Sequence, residues 1–183
     1  MFARHTEQRL ETLLTDHVDA VRDFVERANA VTKHRWLLPR AEGKWTPAQE
    51  TKHLILAYEA ILRQLTEGTP MRLRGNALKR RIWRLIGLNS ILWRKRIPVA
   101  VRAPREVRPE DVTSGPDELL PELRQRAGEF DVAFARAWRN EPRRRMTHYM
   151  FGTLSLDQGI RLVSVHTRHH AAFLQPPATD QST

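Results

Sequence analysis

The sequence contains no cysteine. This excludes disulfides, thiol nucleophiles and thiolate metal ligands, so any bound metal must rely on His, Asp or Glu. No apolar run reaches the roughly 18 residues of a membrane span. Residues 1–14 alternate charged and apolar side chains and have no signal-peptide apolar core, so a cytoplasmic protein is expected. Internal repeats and low-complexity tracts are missing, and strand periodicity is slight. Acidic residues are nearly absent from one stretch. Residues 71–108 hold twelve Lys/Arg and a single acid, Glu106. The net charge of +10 is therefore local: that stretch carries +11, and the remainder, 19 basic against 20 acidic residues, carries −1.

An apolar fraction of 40% and a charged fraction of 28% fit a globular protein. The length suits one domain, residues 1–177, with a loose polar tail at 178–183. Four segments repeat apolar residues at three- to four-residue steps, the signature of amphipathic helices. The first, 6–30, carries Leu10, Leu13, Leu14, Val21, Phe24 and Val25. His17 lies on or beside this stripe and reads as a packing residue. The second, 45–65, has the clearest start. Thr46 is placed to cap it, Pro47 suits its first position, and Gln49 completes a capping box. The third, 114–138, begins at Ser114 or Gly115, with Pro116, Asp117 and Glu118 favouring a helix start. Residues 140–152 read as a loop. The fourth segment, 154–175, has a second capping box in Ser155 and Gln158 and ends before Pro176. These four helices imply an all-α four-helix bundle, an architecture that builds metal sites from facing side chains.

His166 and His170 stand four apart in the last helix, so their imidazoles lie one above the other. Their plain reading is a polar helix end with two solvated rings. Three facts favour a metal instead. Both fall on the apolar stripe, where an uncompensated polar group costs about 1–3 kcal/mol. His53 falls on the apolar stripe of the second helix, and no Cys competes as ligand. The pattern is not that of a zincin protease, because Thr167 occupies the place of the catalytic Glu. Three histidines leave an open coordination position, as in catalytic sites. Glu50, one turn before His53, could bond an imidazole N–H, although a solvated first-turn acid is its plainer reading. His148 could enter the mouth of the site. His169 points about 100° away from His170 and reads as surface or as support for the ligands.

The basic stretch 71–108 is long for a bundle connection. Gly87 and Asn89 are expected to split it into two short helices. It could be a lid whose Trp and Ile residues pack on the bundle. It could also lie on an anionic membrane surface, neutralise nucleic-acid phosphates, or orient an anionic substrate or thiol cofactor through Arg80, Arg81, Arg94 and Lys95.

Three blocks together resemble the DinB-like, YfiT-like metal-binding superfamily. They are Trp45-Thr-Pro-Ala-Gln-Glu-Thr-Lys-His53-Leu54, His148-Tyr-Met-Phe151-Gly152-Thr-Leu154-Ser155 and His166-Thr-Arg-His-His170. The resemblance implies a four-helix bundle, a divalent metal (zinc or nickel) on His53, His166 and His170, and a homodimer. It also implies a small-molecule substrate, with a low-molecular-weight thiol as cofactor in some members. Tyr149 and Phe173 depart from that family's pattern, which often has Pro and Gln there. Two functions follow as expectations. One is a metal-dependent enzyme activating water or a thiol for hydrolysis or thiol transfer. The other is a binding module that uses the cationic segment on a membrane or nucleic acid.

Overall fold

The computed structural model describes residues 2–73, 76–98 and 103–174. In chain order the elements are α1 (Phe2–Asn29), α2 (Lys33–Trp36), α3 (Pro47–Thr66), α4 (Ala77–Ile82), a π-helical turn (Trp83–Leu88) and α5 (Asn89–Arg94). A 3-10 turn (Arg105–Val107), α6 (Pro116–Asn140), β1 (Arg145–His148), β2 (Gly152–Ser155), α7 (Leu156–Ala171) and a last 3-10 turn (Ala172–Leu174) follow. The tail at 178–183 lies outside the described residues.

The long helices α1, α3, α6 and α7 form a four-helix bundle. α1 packs along α7, and α3 along α6. Both capping boxes form: Thr46 and Gln49 exchange hydrogen bonds at the start of α3, and Ser155 and Gln158 do so at α7. α6 opens at Gly115 with Pro116 in its first turn, and it tolerates Pro121. The buried centre is aromatic and aliphatic, with Phe24, Tyr58, Phe130, Phe134, Leu123 and Ile160 at its heart.

One polar chain crosses this core. His17 of α1 is fully buried, and its Nδ1 donates to the Asp131 carboxylate of α6 at 2.7 Å. Its Nε2 pairs with the Tyr58 hydroxyl of α3 at 2.8 Å. That hydroxyl lies 3.1 Å from Thr167 Oγ1 of α7. Burial pushes the Tyr58 pKa up, so the phenol stays neutral. All four bundle helices thus meet in one hydrogen-bonded line. Because burying such groups is unfavourable unless each finds a partner, the line specifies how the helices are rotated.

Two expectations are corrected. The stretch 140–152 is not simply a loop. Arg145–His148 pairs antiparallel with Gly152–Ser155, Met146 opposite Leu154, and Leu154 therefore belongs to a strand rather than to the last helix. Gly152 closes the turn at φ 69°, a conformation glycine adopts without strain. Met146 seats over Gly159 of α7 so closely that a Cβ there would displace it. The hairpin is also tied to α3, where Gln64 Oε1 accepts from the Thr147 amide at 2.7 Å.

Nor does Gly87 break the basic stretch into two helices. Residues 77–94 run as one helical segment with a π-helical turn in the middle. A Cβ at Gly87 would meet the Trp83 ring at 2.8 Å, so the missing side chain makes room for the indole. Leu88, Ile91 and Leu92 are buried, and Arg161 of α7 donates to the Leu92 carbonyl at 3.2 Å. Lys95, at φ 50°, ends the segment.

Tyr58→Phe should destabilise the fold by about 1–3 kcal/mol, because it leaves buried His17 and Thr167 atoms short of a partner. His17→Ala should cost more, since it removes a buried ring and the bonds to both Tyr58 and Asp131. Urea denaturation followed by far-UV circular dichroism checks both, and an unchanged midpoint in either variant would contradict the pinning role.

Candidate metal centre

α3 carries His53 and α7 carries His166 and His170, and the packed bundle brings the three rings together. His53 Nε2 lies 3.2 Å from His166 Nε2, and His170 Nε2 lies 3.0 Å from the same atom. One ligand atom from each residue falls within 4.8 Å of the others. Imidazoles around a tetrahedral ion with bonds of 2.0–2.1 Å have nitrogens about 3.3 Å apart. Two of the three spacings, 3.2 and 3.0 Å, are close to that distance.

The far side of each outer ring is fixed. His53 Nδ1 donates to the Val107 carbonyl at 2.6 Å, and His170 Nδ1 pairs with Glu50 Oε2 at 2.6 Å. When Glu50 is ionised, both Nδ1 atoms carry the hydrogen and both Nε2 atoms present lone pairs to the centre. Only one hydrogen, on His166 Nε2, could serve both of them. The centre therefore has more acceptors than donors, a set that a cation satisfies and neutral protein groups do not.

The electrostatics agree. Burial lowers the His53 pKa to about 4, against the bond to Val107. Burial holds His166 and His170 well below the ordinary imidazole range, and the neighbouring histidines depress them further. All three imidazoles are thus neutral at neutral pH, the form that can ligate a metal. Burial raises Glu50 to about 8, opposed by the charge of Arg40. A cation among the imidazoles would supply the positive charge that an ionised Glu50 otherwise lacks.

Glu50 is buried rather than solvated, and its partner is His170 rather than His53 on its own helix. His148 is half-buried in β1. Its Nδ1 accepts from the Met150 and Phe151 amides at 3.3 and 3.4 Å, and its ring stacks on Phe151. Burial lowers its pKa to about 4. His169 stays outside the three-histidine cluster. It is half-exposed, and its ring meets Phe173 edge-on.

The cluster opens into a cavity of about 1010 Å³ lined mostly by apolar side chains. One wall comes from the basic stretch, including Trp83, Ile86 and Ile91, and another from the hairpin, including His148 and Phe151. Arg40, Arg80 and Arg108 also line it, whereas Arg81, Arg94 and Lys95 are exposed elsewhere.

Two contributors escape a reading of side-chain motifs. The Val107 carbonyl orients His53, but a backbone group leaves no mark in the sequence. Trp45 packs its ring 4.8 Å from His53 and 6.1 Å from His170. It stands just before the Thr46 cap of α3 and forms a wall of the site.

The family model of the DinB superfamily matches residues 4–174. The chain belongs to the DinB superfamily. Among solved structures it is similar to YfiT from Bacillus subtilis, described as a probable metal-dependent hydrolase with an unusual four-helix bundle topology. The TM-score is 0.58 at 17% identity, covering 90% of this chain and 83% of that one. At this identity the likeness establishes the fold. No curated protein matches the sequence. Within this DinB-superfamily fold, the three-histidine cluster is a set of side chains that could hold a divalent ion.

Protein purified without a histidine tag should contain about one divalent ion per chain, and His166→Ala should lose it. In thermal unfolding, metal at about 100 times its Kd should stabilise the wild type by about 2.7 kcal/mol and leave His166→Ala unmoved. Equal metal content in both proteins would refute the site. Glu50→Gln should keep the fold and weaken metal binding about 10- to 100-fold, read by competition with a chromogenic chelator.

Proposed function

We propose that this protein is a metal-dependent hydrolase whose divalent ion, zinc or nickel, is held by His53, His166 and His170. The observation that carries this reading is the convergence of three neutral imidazoles on one point facing a large cavity. The description of YfiT as a probable metal-dependent hydrolase supports it.

When bound at three ligands, such an ion offers an open position, Lewis acidity and a water of pKa about 7. The chain's own residues do the rest. Val107 and Glu50 hold the outer rings in one tautomer, so their lone pairs need no rearrangement on binding. The apolar walls exclude water and accept the body of a small organic substrate. Arg40, Arg80 and Arg108 favour a substrate bearing an anionic group.

His148 is a neutral hydrogen-bond donor in this reading. The backbone amides of Met150 and Phe151 occupy its Nδ1, which leaves the hydrogen on Nε2. A neutral ring so fixed on the cavity wall can donate a hydrogen bond to a leaving group or a substrate oxygen and stabilise the charge that develops there.

A panel of chromogenic carboxylic esters and amides, hydrolysed in water enriched in heavy oxygen, tests the reading. Label should enter the product, chelation should remove activity, and added zinc or nickel should restore it. His148→Ala should lower kcat about 100-fold with metal content unchanged. Turnover that requires an added thiol, with no label in the product, would assign thiol transfer instead.

A further inference from the structure

The helical segment 77–94 presents apolar side chains to solvent. Leu78 is 67% exposed, Leu85 57%, Ile86 71% and Trp93 79%. Ile82 and Trp83 are about half exposed, at 49% and 52%. Exposed apolar residues scattered singly need no explanation, but a contiguous set on one element marks an interaction surface. Residues 77–96 also carry seven Lys/Arg and no acid. Arg81, Arg94, Lys95 and Arg96 are exposed among the apolar residues.

This combination selects the occupant. A second copy meeting the same face would set one cationic segment against another. A nucleic acid would answer the cations but not the exposed aliphatic side chains. An anionic lipid surface answers both: headgroups pair with Arg and Lys, while indole and aliphatic groups enter the boundary below them. No described helix is long and apolar enough to cross a membrane, so such contact would be interfacial.

We propose that the face of segment 77–94 bearing Leu78, Leu85, Ile86 and Trp93, with Arg81, Arg94 and Lys95 around them, docks the protein on anionic lipid surfaces. Trp83 and Ile86 of the same segment line the cavity above the histidines. Docking therefore brings the cavity wall to the lipid surface. The proposal does not rest on the metal-dependent reaction.

Flotation of the intact protein with vesicles tests it. Phosphatidylcholine vesicles containing about 30% phosphatidylglycerol should bind the protein at least about tenfold better than phosphatidylcholine alone, with the difference lost in about 1 M salt. Arg81→Glu combined with Arg94→Glu should weaken binding about tenfold or more. Trp93→Ser, a change at an exposed position, should do so while leaving unfolding unchanged. His166→Ala should bind vesicles like the wild type, which separates this test from that of the metal centre. Equal binding to neutral and anionic vesicles, or to neither, overturns the proposal. So does a dimer in sedimentation that Trp93→Ser converts to monomer, or tighter binding to a DNA duplex than to the anionic vesicles.

Discussion

Three imidazole nitrogens share a space in which they have one hydrogen between them. His53 and His170 spend their Nδ1 hydrogens outward, on Val107 and Glu50, and turn bare lone pairs toward His166. Left among themselves, those lone pairs must share the single hydrogen of His166 Nε2, and burial denies the rings the alternative of protonation. A cation removes the conflict at all three atoms at once. Much of the surrounding structure serves to keep the three rings in this otherwise unfavourable arrangement.

The bundle does so by fixing the rotation of α3 and α7. Both helices begin at a capping box, and each histidine of the cluster sits at a set distance beyond its cap: His53 seven residues after Thr46, His166 eleven after Ser155. A cap fixes where a helix starts but not how it is turned against its neighbours. The polar line through His17, Asp131, Tyr58 and Thr167 supplies that second constraint. Thr167 is the residue next to His166, and Tyr58 lies five residues after His53. The pin therefore acts beside the clustered histidines on both helices. The ion pair of Arg168 with Asp16, at 2.9 Å, holds α7 to α1 at the same level.

These relations explain which parts of the molecule could be read from its sequence. The long helices were legible from apolar spacing, and the starts of α3 and α7 from their capping boxes. The pairing of His166 with His170 followed from a four-residue step, and His53 from its place on an apolar stripe. Partners across the fold were not legible. His17 read as a packing residue because nothing local announces Asp131, 114 positions away. The hairpin was hidden because each strand is four residues long, too short to show alternation. Gly87 read as a breaker because sequence alone does not reveal that Trp83 folds over it.

The basic stretch joins the two halves of the molecule's chemistry. Its inner side walls the cavity, and its last turn, Arg105–Val107, gives the carbonyl that orients His53. Its exposed surface carries cations and apolar groups, and two of the latter, Trp83 and Ile86, also reach the cavity. A displacement of Val107 by even an ångström would lengthen a 2.6 Å hydrogen bond beyond its useful range and free the His53 ring to turn. The stretch is therefore more than a cover laid over a finished site. The bundle supplies three nitrogens, but the tautomer of one of them depends on a segment whose outer face is open to solvent.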